Sequence, residues 1–209
     1  MSEPRKRMNF VQIAGLLFLL VILPGGSWYY LQSGYNHRKA AIAELKDLGT
    51  VGAFELTDQY GRLFSSGQLH KRVTIATFLP DDAAQQQQWT SRIRELQDQF
   101  DHRDDVCFLL FADSSVLTDP ARFAVDNNLT DSLQWEILTT DHTDLDRLAS
   151  GAFYIPDRQH IALADTGMVV RRTYDILDNS QMGRLIEHIT IVMPRLPDPD
   201  IVLKRDREK

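Results

Sequence analysis

The sequence predicts an α/β fold carried behind one N-terminal transmembrane helix. Three observations lead there. A basic triplet, Arg5-Lys6-Arg7, precedes an apolar run from Phe10 to Leu23 that carries one polar residue, Gln12. Two later runs, Val73 to Leu79 and Val106 to Phe111, are rich in branched and aromatic residues and carry no charge, as strands covered on both faces must be. Between them Trp89, Ile93, Leu96 and Phe100 recur at helical spacing, so strand, crossover helix and strand follow one another.

The N-terminal segment reads as a membrane anchor. Counted from Asn9 through Leu31 it covers about 23 residues, roughly 34 Å of helix at about 1.5 Å per residue, enough for a hydrocarbon core of about 30 Å. Trp28-Tyr29-Tyr30 then falls at the far interface, where amphipathic rings prefer to sit. The rival reading is a cleaved signal peptide, with Gly25 and Ser27 as the small residues a peptidase needs. A buried core helix is a third, opposed by Pro24-Gly25-Gly26 and by the adjoining basic triplet. The triplet favours retention of the N-terminus in the cytoplasm, so the rest of the chain is expected on the other side, periplasmic if the membrane is a bacterial inner membrane.

The expected organisation is a cytoplasmic N-terminus over 1–8, an anchor over 9–31, a stalk or linker helix within 32–50, a folded domain over 51–194 and a disordered tail over 195–209. The stalk rests on Ala, Ile and Leu at helical spacing from Asn36 to Leu48, with Asn36 as cap and Gly49 as stop. A first helix packed on the core fits the same spacing. The tail is rich in proline and charge.

Within the domain, Phe54-Glu55-Leu56 and Arg62-Leu63-Phe64 flank a turn at Asp58 to Gly61 and predict an opening hairpin. Val73 to Leu79 is a central strand. Pro80-Asp81-Asp82 supplies a loop and cap for a helix from about Ala84 to Phe100. Val106 to Phe111, a helix over Asp119 to Asn128, a strand over Gln134 to Leu138 and a short helix over Thr143 to Ser150 continue the alternation, which argues for a mainly parallel sheet. Thr166-Gly167 turns a hairpin of Gln159 to Asp165 with Met168 to Tyr174, and Ser180 to Val192 closes as a helix.

Composition removes several functions. The 209 residues suffice for one domain and an accessory segment. Net charge is -6, and the basic N-terminus leaves the remainder more acidic still, a poor surface for phosphate backbones, so nucleic acid is excluded as a partner. The single cysteine, Cys107, rules out dithiol catalysis within one chain. It lies inside VCFLLF, where burial makes a thiol inert. The six histidines, His37, His70, His102, His142, His160 and His188, show no HxxxH or HxH spacing. Asp141-His142-Thr143-Asp144 looks ligand-like but reads more simply as a loop and helix cap before Leu145 and Leu148. No GxxxxGK, GxSxG or GxGxxG occurs.

An opening hairpin, a βαβ unit, a further helix and strand, then a closing hairpin and helix make the order of a thioredoxin-like domain. The phrase Phe54-Glu55-Leu56-Thr57-Asp58-Gln59-Tyr60-Gly61 resembles the F-x-L-x-D-x-x-G opening of the Sco/SenC family, copper chaperones of cytochrome oxidase assembly whose bacterial members carry one N-terminal anchor. Leu110-Phe111-Ala112-Asp113 with Asp119-Pro120 is similar to that family's strand and following loop. Ala162 to Arg171 is similar to its L-x-D-x-x-G-x-h-R hairpin. The resemblance spans about Val51 to Met193.

In that family a CxxxC at the start of the first crossover helix and a distal histidine carry the chemistry, and this sequence lacks all three. The two cysteine positions fall near Asp82 or Ala83 and near Gln86 or Gln87. Counting back eight residues from Asp165, as the family's histidine would require, lands on Asp157, and His160 is three residues too late. Carboxylates and amides are hard donors, poorly suited to Cu(I). No catalytic, cofactor-binding or metal-ligating residue is therefore expected.

The resemblance implies a degenerate, noncatalytic Sco-like protein, a pseudo-redoxin that binds a protein partner, a membrane respiratory complex or its assembly factors, and meets the lipid bilayer through its N-terminal helix. The alternatives are a thioredoxin-like redox enzyme with an unrecognised site and a metal-binding module using His160 with Asp157.

Overall fold

The computed structural model describes residues 10–101 and 103–194. The expected cytoplasmic segment, the tail and His102 lie outside the described residues. The chain divides into two compact units between Glu44 and Leu45.

The first unit is helical: α1 (Phe10–Leu17), a π-helical segment (Phe18–Ile22) and α2 (Leu23–Glu44). Gly15–Glu44 is long and apolar enough to cross a membrane, and none of its apolar window is buried in protein. Pro24-Gly25-Gly26 does not break it, contrary to expectation, and Asn36 does not start a new helix. The local geometry explains why. Leu23 donates its N–H to the Phe18 carbonyl five residues back, and this wider turn lies just before the proline that lacks an N–H of its own. A helix in apolar surroundings must satisfy its peptide groups internally, which favours such an adjustment over a break.

The second unit begins at Leu45, six residues before the expected Val51. An unforeseen strand, β1 (Gly49–Thr50), occupies what the sequence suggested was a helix stop. Then come β2 (Glu55–Thr57), β3 (Leu63–Ser65), β4 (Val73–Phe78), α3 (Ala83–Asp98), β5 (Val106–Asp113), α4 (Pro120–Asp126), β6 (Trp135–Thr140), α5 (His142–Arg147), β7 (His160–Ala164), β8 (Val169–Asp175) and α6 (Asn179–Val192). One sheet holds all eight strands in the order β1-β8-β7-β4-β5-β6-β2-β3.

The sheet is mixed rather than mainly parallel. Only β4 with β5 and β5 with β6 run parallel. Hairpins build the flanks, β2 with β3 and β7 with β8, and each joins the centre in antiparallel fashion. Short turns force this, because a parallel partner needs a crossover.

Alternate residues of the central strands pack into two cores. Ile75, Phe108, Leu110 and Ile137 meet Trp89, Ile93 and Leu96 of α3 and Met182, Leu185 and Ile189 of α6. Phe78, Leu109, Phe111 and Leu138 meet Leu145 of α5 and the π-helical turn Leu148–Ala152. Burying one such side chain contributes about 1.5–3 kcal/mol, so these two layers hold the fold. The arrangement brings the ends of β4, β5 and β6 and the start of β7 to the same side of the sheet.

Two of the three phrases behind the family resemblance are turn-builders. Asp58 Oδ1 accepts the N–H groups of Tyr60 and Arg62 at 2.8 Å each, and its Oδ2 accepts Arg62 Nε at 2.7 Å. Gly61 follows at φ +77, a conformation open to glycine at no steric cost. Gln59 fills the backbone edge of β6, accepting from Ile137 N at 2.8 Å and donating to the Trp135 carbonyl at 3.2 Å. In the closing hairpin Asp165 Oδ1 takes the N–H groups of Gly167 and Val169, and Oδ2 takes Arg171 Nε at 2.7 Å.

Candidate functional site

The candidate site lies beyond the carboxyl ends of β4, β5 and β6, where α/β sheets place their ligands. Strand β4 runs into Pro80-Asp81-Asp82, and Asp82 caps α3: its Oδ1 accepts from Ala84 N and Gln85 N at 3.0 Å each. Gln86 turns its amide back, donating Nε2 to the Pro80 carbonyl at 2.8 Å. The loop is thus tied to its own helix.

Facing it, Asp157 and Arg158 come from the segment entering β7. Pro80, Asp81, Asp82, Gln85, Asp157, Arg158 and Gln159 line a cleft of about 480 Å³. The position counted back from Asp165 shares this cleft with the loop Pro80-Asp81-Asp82. Asp82 lines it and Ala83 does not. Gln87 lines a different depression with Ser91 and Glu95.

Arg158 is the centre of the site. Its Nη1 lies 3.1 and 3.2 Å from the two oxygens of Asp81, and its Nη2 lies 2.9 Å from Asp146 Oδ1 on α5. The same Nη2 is 3.1 Å from His142 Nδ1 and 3.3 Å from Nε2. Near-equal distances to both ring nitrogens place the guanidinium over the imidazole face, since an in-plane approach would collide with the carbon between them. His142 Nδ1 in turn lies 3.3 Å from Asp113 Oδ2 at the end of β5. The Arg158 side chain is 18% exposed, against 52% for Asp81 and 62% for Asp146.

The acidity of the site follows from its hydrogen bonds. Ser115 donates both its hydroxyl and its N–H to Asp113, and with His142 these outweigh burial and hold that carboxyl below the ordinary range. His160 Nδ1 sits 2.7 Å from Asp157 Oδ1 and, with the Gln159 N–H, keeps Asp157 low as well. Both remain ionised at neutral pH.

The other sequence candidates fall elsewhere. Cys107 is fully buried in β5 next to Thr74, and burial pushes its thiol up to about 12. His188 is buried with its Nδ1 2.6 Å from the Tyr174 hydroxyl. His70 is exposed beyond the turn Ser66–Leu69 and His37 lies on α2. Asp141 does cap α5, accepting from Asp144 N at 2.9 Å. Its neighbour His142 is, among the described residues, the histidine in contact with Arg158. The sequence names Asp81 and His142 only as parts of a loop and a cap, and it does not single out Arg158 or Asp146. The usable signal was adjacency: Arg158 directly follows the position at which the family's histidine is expected.

No family model matches the sequence, and no curated protein matches it either. Solved structures do. A SCO1/SenC family lipoprotein from Bacillus anthracis str. Ames superposes at TM-score 0.57 with 19% identity, over 68% of this chain and 94% of that one. The globular unit has a Sco/SenC-like thioredoxin fold. BsSco, described as a member of the Sco family of cytochrome c oxidase assembly proteins, matches at TM-score 0.55 and 21% identity, over 70% and 95%. The thioredoxin domain of a thiol-disulfide oxidoreductase from Bacteroides vulgatus matches at 0.54 and 12%, over 69% and 98%. The same fold is thus shared with an oxidase assembly protein and with a thiol-disulfide oxidoreductase.

The residues present do not fit a cuprous ion. Asp82 Oδ1 is committed to the helix cap, Asp81 is committed to Arg158, and a guanidinium lines the same cleft. The remaining donors are hard oxygens, and Arg158 repels a metal cation. Among the described residues no group of three or more His, Cys, Asp or Glu is arranged to hold a metal ion.

Proposed function

We propose that this chain is a noncatalytic, membrane-anchored accessory factor that binds a protein partner through the Sco-like face, in the assembly of a respiratory oxidase at a bacterial inner membrane, with the globular unit in the periplasm. The observation that carries the reading is the Asp81–Arg158 pair. A carboxylate and a guanidinium satisfy each other beside Asp82 and Asp157, where the resemblance would put a thiol and a histidine, so what remains is a surface of fixed shape and charge. The oxidase connection comes from the printed role of BsSco, a protein of the same fold. The anchor comes from Gly15–Glu44, and the exposed Trp28, Tyr29 and Tyr30 suit a membrane interface.

Deletion of the gene in its host tests this. Assembled oxidase, read as haem absorbance per unit of membrane protein, falls in the deletion strain, is not restored by added copper salts, and is restored by a Cys107→Ser copy. Unchanged oxidase in the deletion strain, or failure of Cys107→Ser to complement while it accumulates normally, overturns the proposal.

A further inference from the structure

We infer that Arg158 is a built-in cation that latches the loop after β4 to the segment entering β7 and, by its charge, keeps metal cations out of the cleft between them. The inference stands apart from the choice of partner or pathway. A metal held by ligands from both segments would cross-link them; here the cross-link is covalently part of the chain and cannot exchange.

The geometry is that of a latch. Arg158 is reached from three directions, by Asp81 from the β4–α3 loop, by Asp146 from α5 and by the His142 ring, which Asp113 of β5 steadies from behind. The three partners come from the β4–α3 loop and from α5, so one side chain of the β7 approach engages both. Two of the contacts are charge-assisted, and with Nη1 serving Asp81 and Nη2 serving Asp146 the two ends of the guanidinium do different work. A lysine at this position offers one point charge and holds one carboxylate at a time. The guanidinium is less exposed than Asp81, Asp146 and His142, so its charge is less screened by water than that of the two carboxylates it holds.

Exclusion follows from the same placement. Asp82 lies in the loop that Arg158 engages through Asp81, and Gln86 lies one turn on in α3 with its amide on the Pro80 carbonyl. Arg158 brings a positive charge to a cleft otherwise lined by the carboxylates of Asp81, Asp82 and Asp157, and so weakens the hold of that lining on a second cation.

The test uses the full chain in detergent micelles and two independent readings. Amide hydrogen exchange is followed at Ala84 and Gln85, whose N–H groups bond to Asp82, and at Gln159 and His160, whose N–H groups bond to Asp157. Arg158→Met is expected to speed exchange in both segments about tenfold with β5 still protected, and Arg158→Lys to fall between the two. Exchange within twofold of wild type in either segment overturns the latch. If Arg158→Met also exposes β5, Asp81→Asn, which touches no core residue, is judged by the same criterion. For exclusion, soft ligands are installed as Asp82→Cys with Gln86→Cys, and Cu(I) retention against a competing chelator is compared with and without Arg158→Met. Retention about tenfold weaker with Arg158 present is expected, and equal retention overturns it.

Discussion

Asp81 and Arg158, 77 residues apart in the chain, meet so that one guanidinium nitrogen lies 3.1 and 3.2 Å from the two oxygens of a single carboxylate. The pair ties the loop after β4 to the segment entering β7. Its energetic worth is modest because Asp81 is half exposed. Arg158→Met is expected to cost about 1 kcal/mol in urea unfolding of the full chain, with the difference narrowing as salt is added. A loss that does not respond to salt would mean packing of the side-chain stem, not charge, is what matters.

The aspartates of the two hairpins are predicted to matter more for stability than the site does. Asp58 has a side chain only 2% exposed, and although burial opposes ionisation, bonds from the Arg62 N–H and guanidinium and the Tyr60 N–H keep its carboxyl below the ordinary range. Asp58→Ala strands those donors and is expected to cost about 1–3 kcal/mol. The pH dependence has a definite sign. A carboxyl with a lowered folded pKa contributes stability that is complete above its unfolded value and disappears as pH falls through the folded one. The wild type is therefore expected to lose stability below about pH 4, and Asp58→Ala to lose less of it over the same range.

Glu136 has the opposite sign. It lies on β6 with Oε2 buried and without a hydrogen-bond partner, and burial together with the nearby Asp58 charge raises its pKa despite Arg62 and Arg72. Such a group binds a proton more tightly folded than unfolded, so its ionisation costs stability as pH rises past its unfolded value. Glu136→Gln is expected to have a higher Tm than wild type at pH 7, with the gap closing below about pH 4. A lower Tm at pH 7 would mean that Arg62, at 3.9 Å, outweighs burial.

Cys107 is predicted to be silent. A thiol wholly enclosed in β5 and pushed up to about 12 presents neither thiolate nor access. A thiol reagent at pH 8 should label the chain only after denaturation. Cys107→Ala should unfold with a loss of about 1 kcal/mol, from lost packing. Labelling of the native chain at the rate of a free thiol would contradict the burial.

The sequence made the central strands and helices legible because hydrophobic period and burial agree there: β4, β5, α3 and α6 fall within a few residues of their expected spans. Strand direction was less legible. Runs such as Val73 to Phe78 announce burial on both faces but say nothing about which neighbour is antiparallel, and the hairpin β7–β8 inserts next to β4. Strand β1 was hidden by its two-residue length, and Gly49 was read as a helix stop. Its φ of +133 and the Tyr154 hydroxyl, which a Cβ there would strike, show that glycine is needed for a different reason. At the site, counting along the chain found Asp82 and Asp157 opposite one another. It missed Arg158, because a salt link between residues 77 positions apart has no local pattern.

The proposed function requires that this Sco-like fold carry neither dithiol nor copper chemistry, and Cu(I) titration of the purified full chain against a competing chelator is the deciding measurement. Fully reduced protein should return all the copper to the chelator, and Cys107→Ser, Asp157→Asn and His160→Ala should change nothing in that result. One equivalent of Cu(I) held against the chelator, and released by any of those three substitutions, would establish a copper site instead.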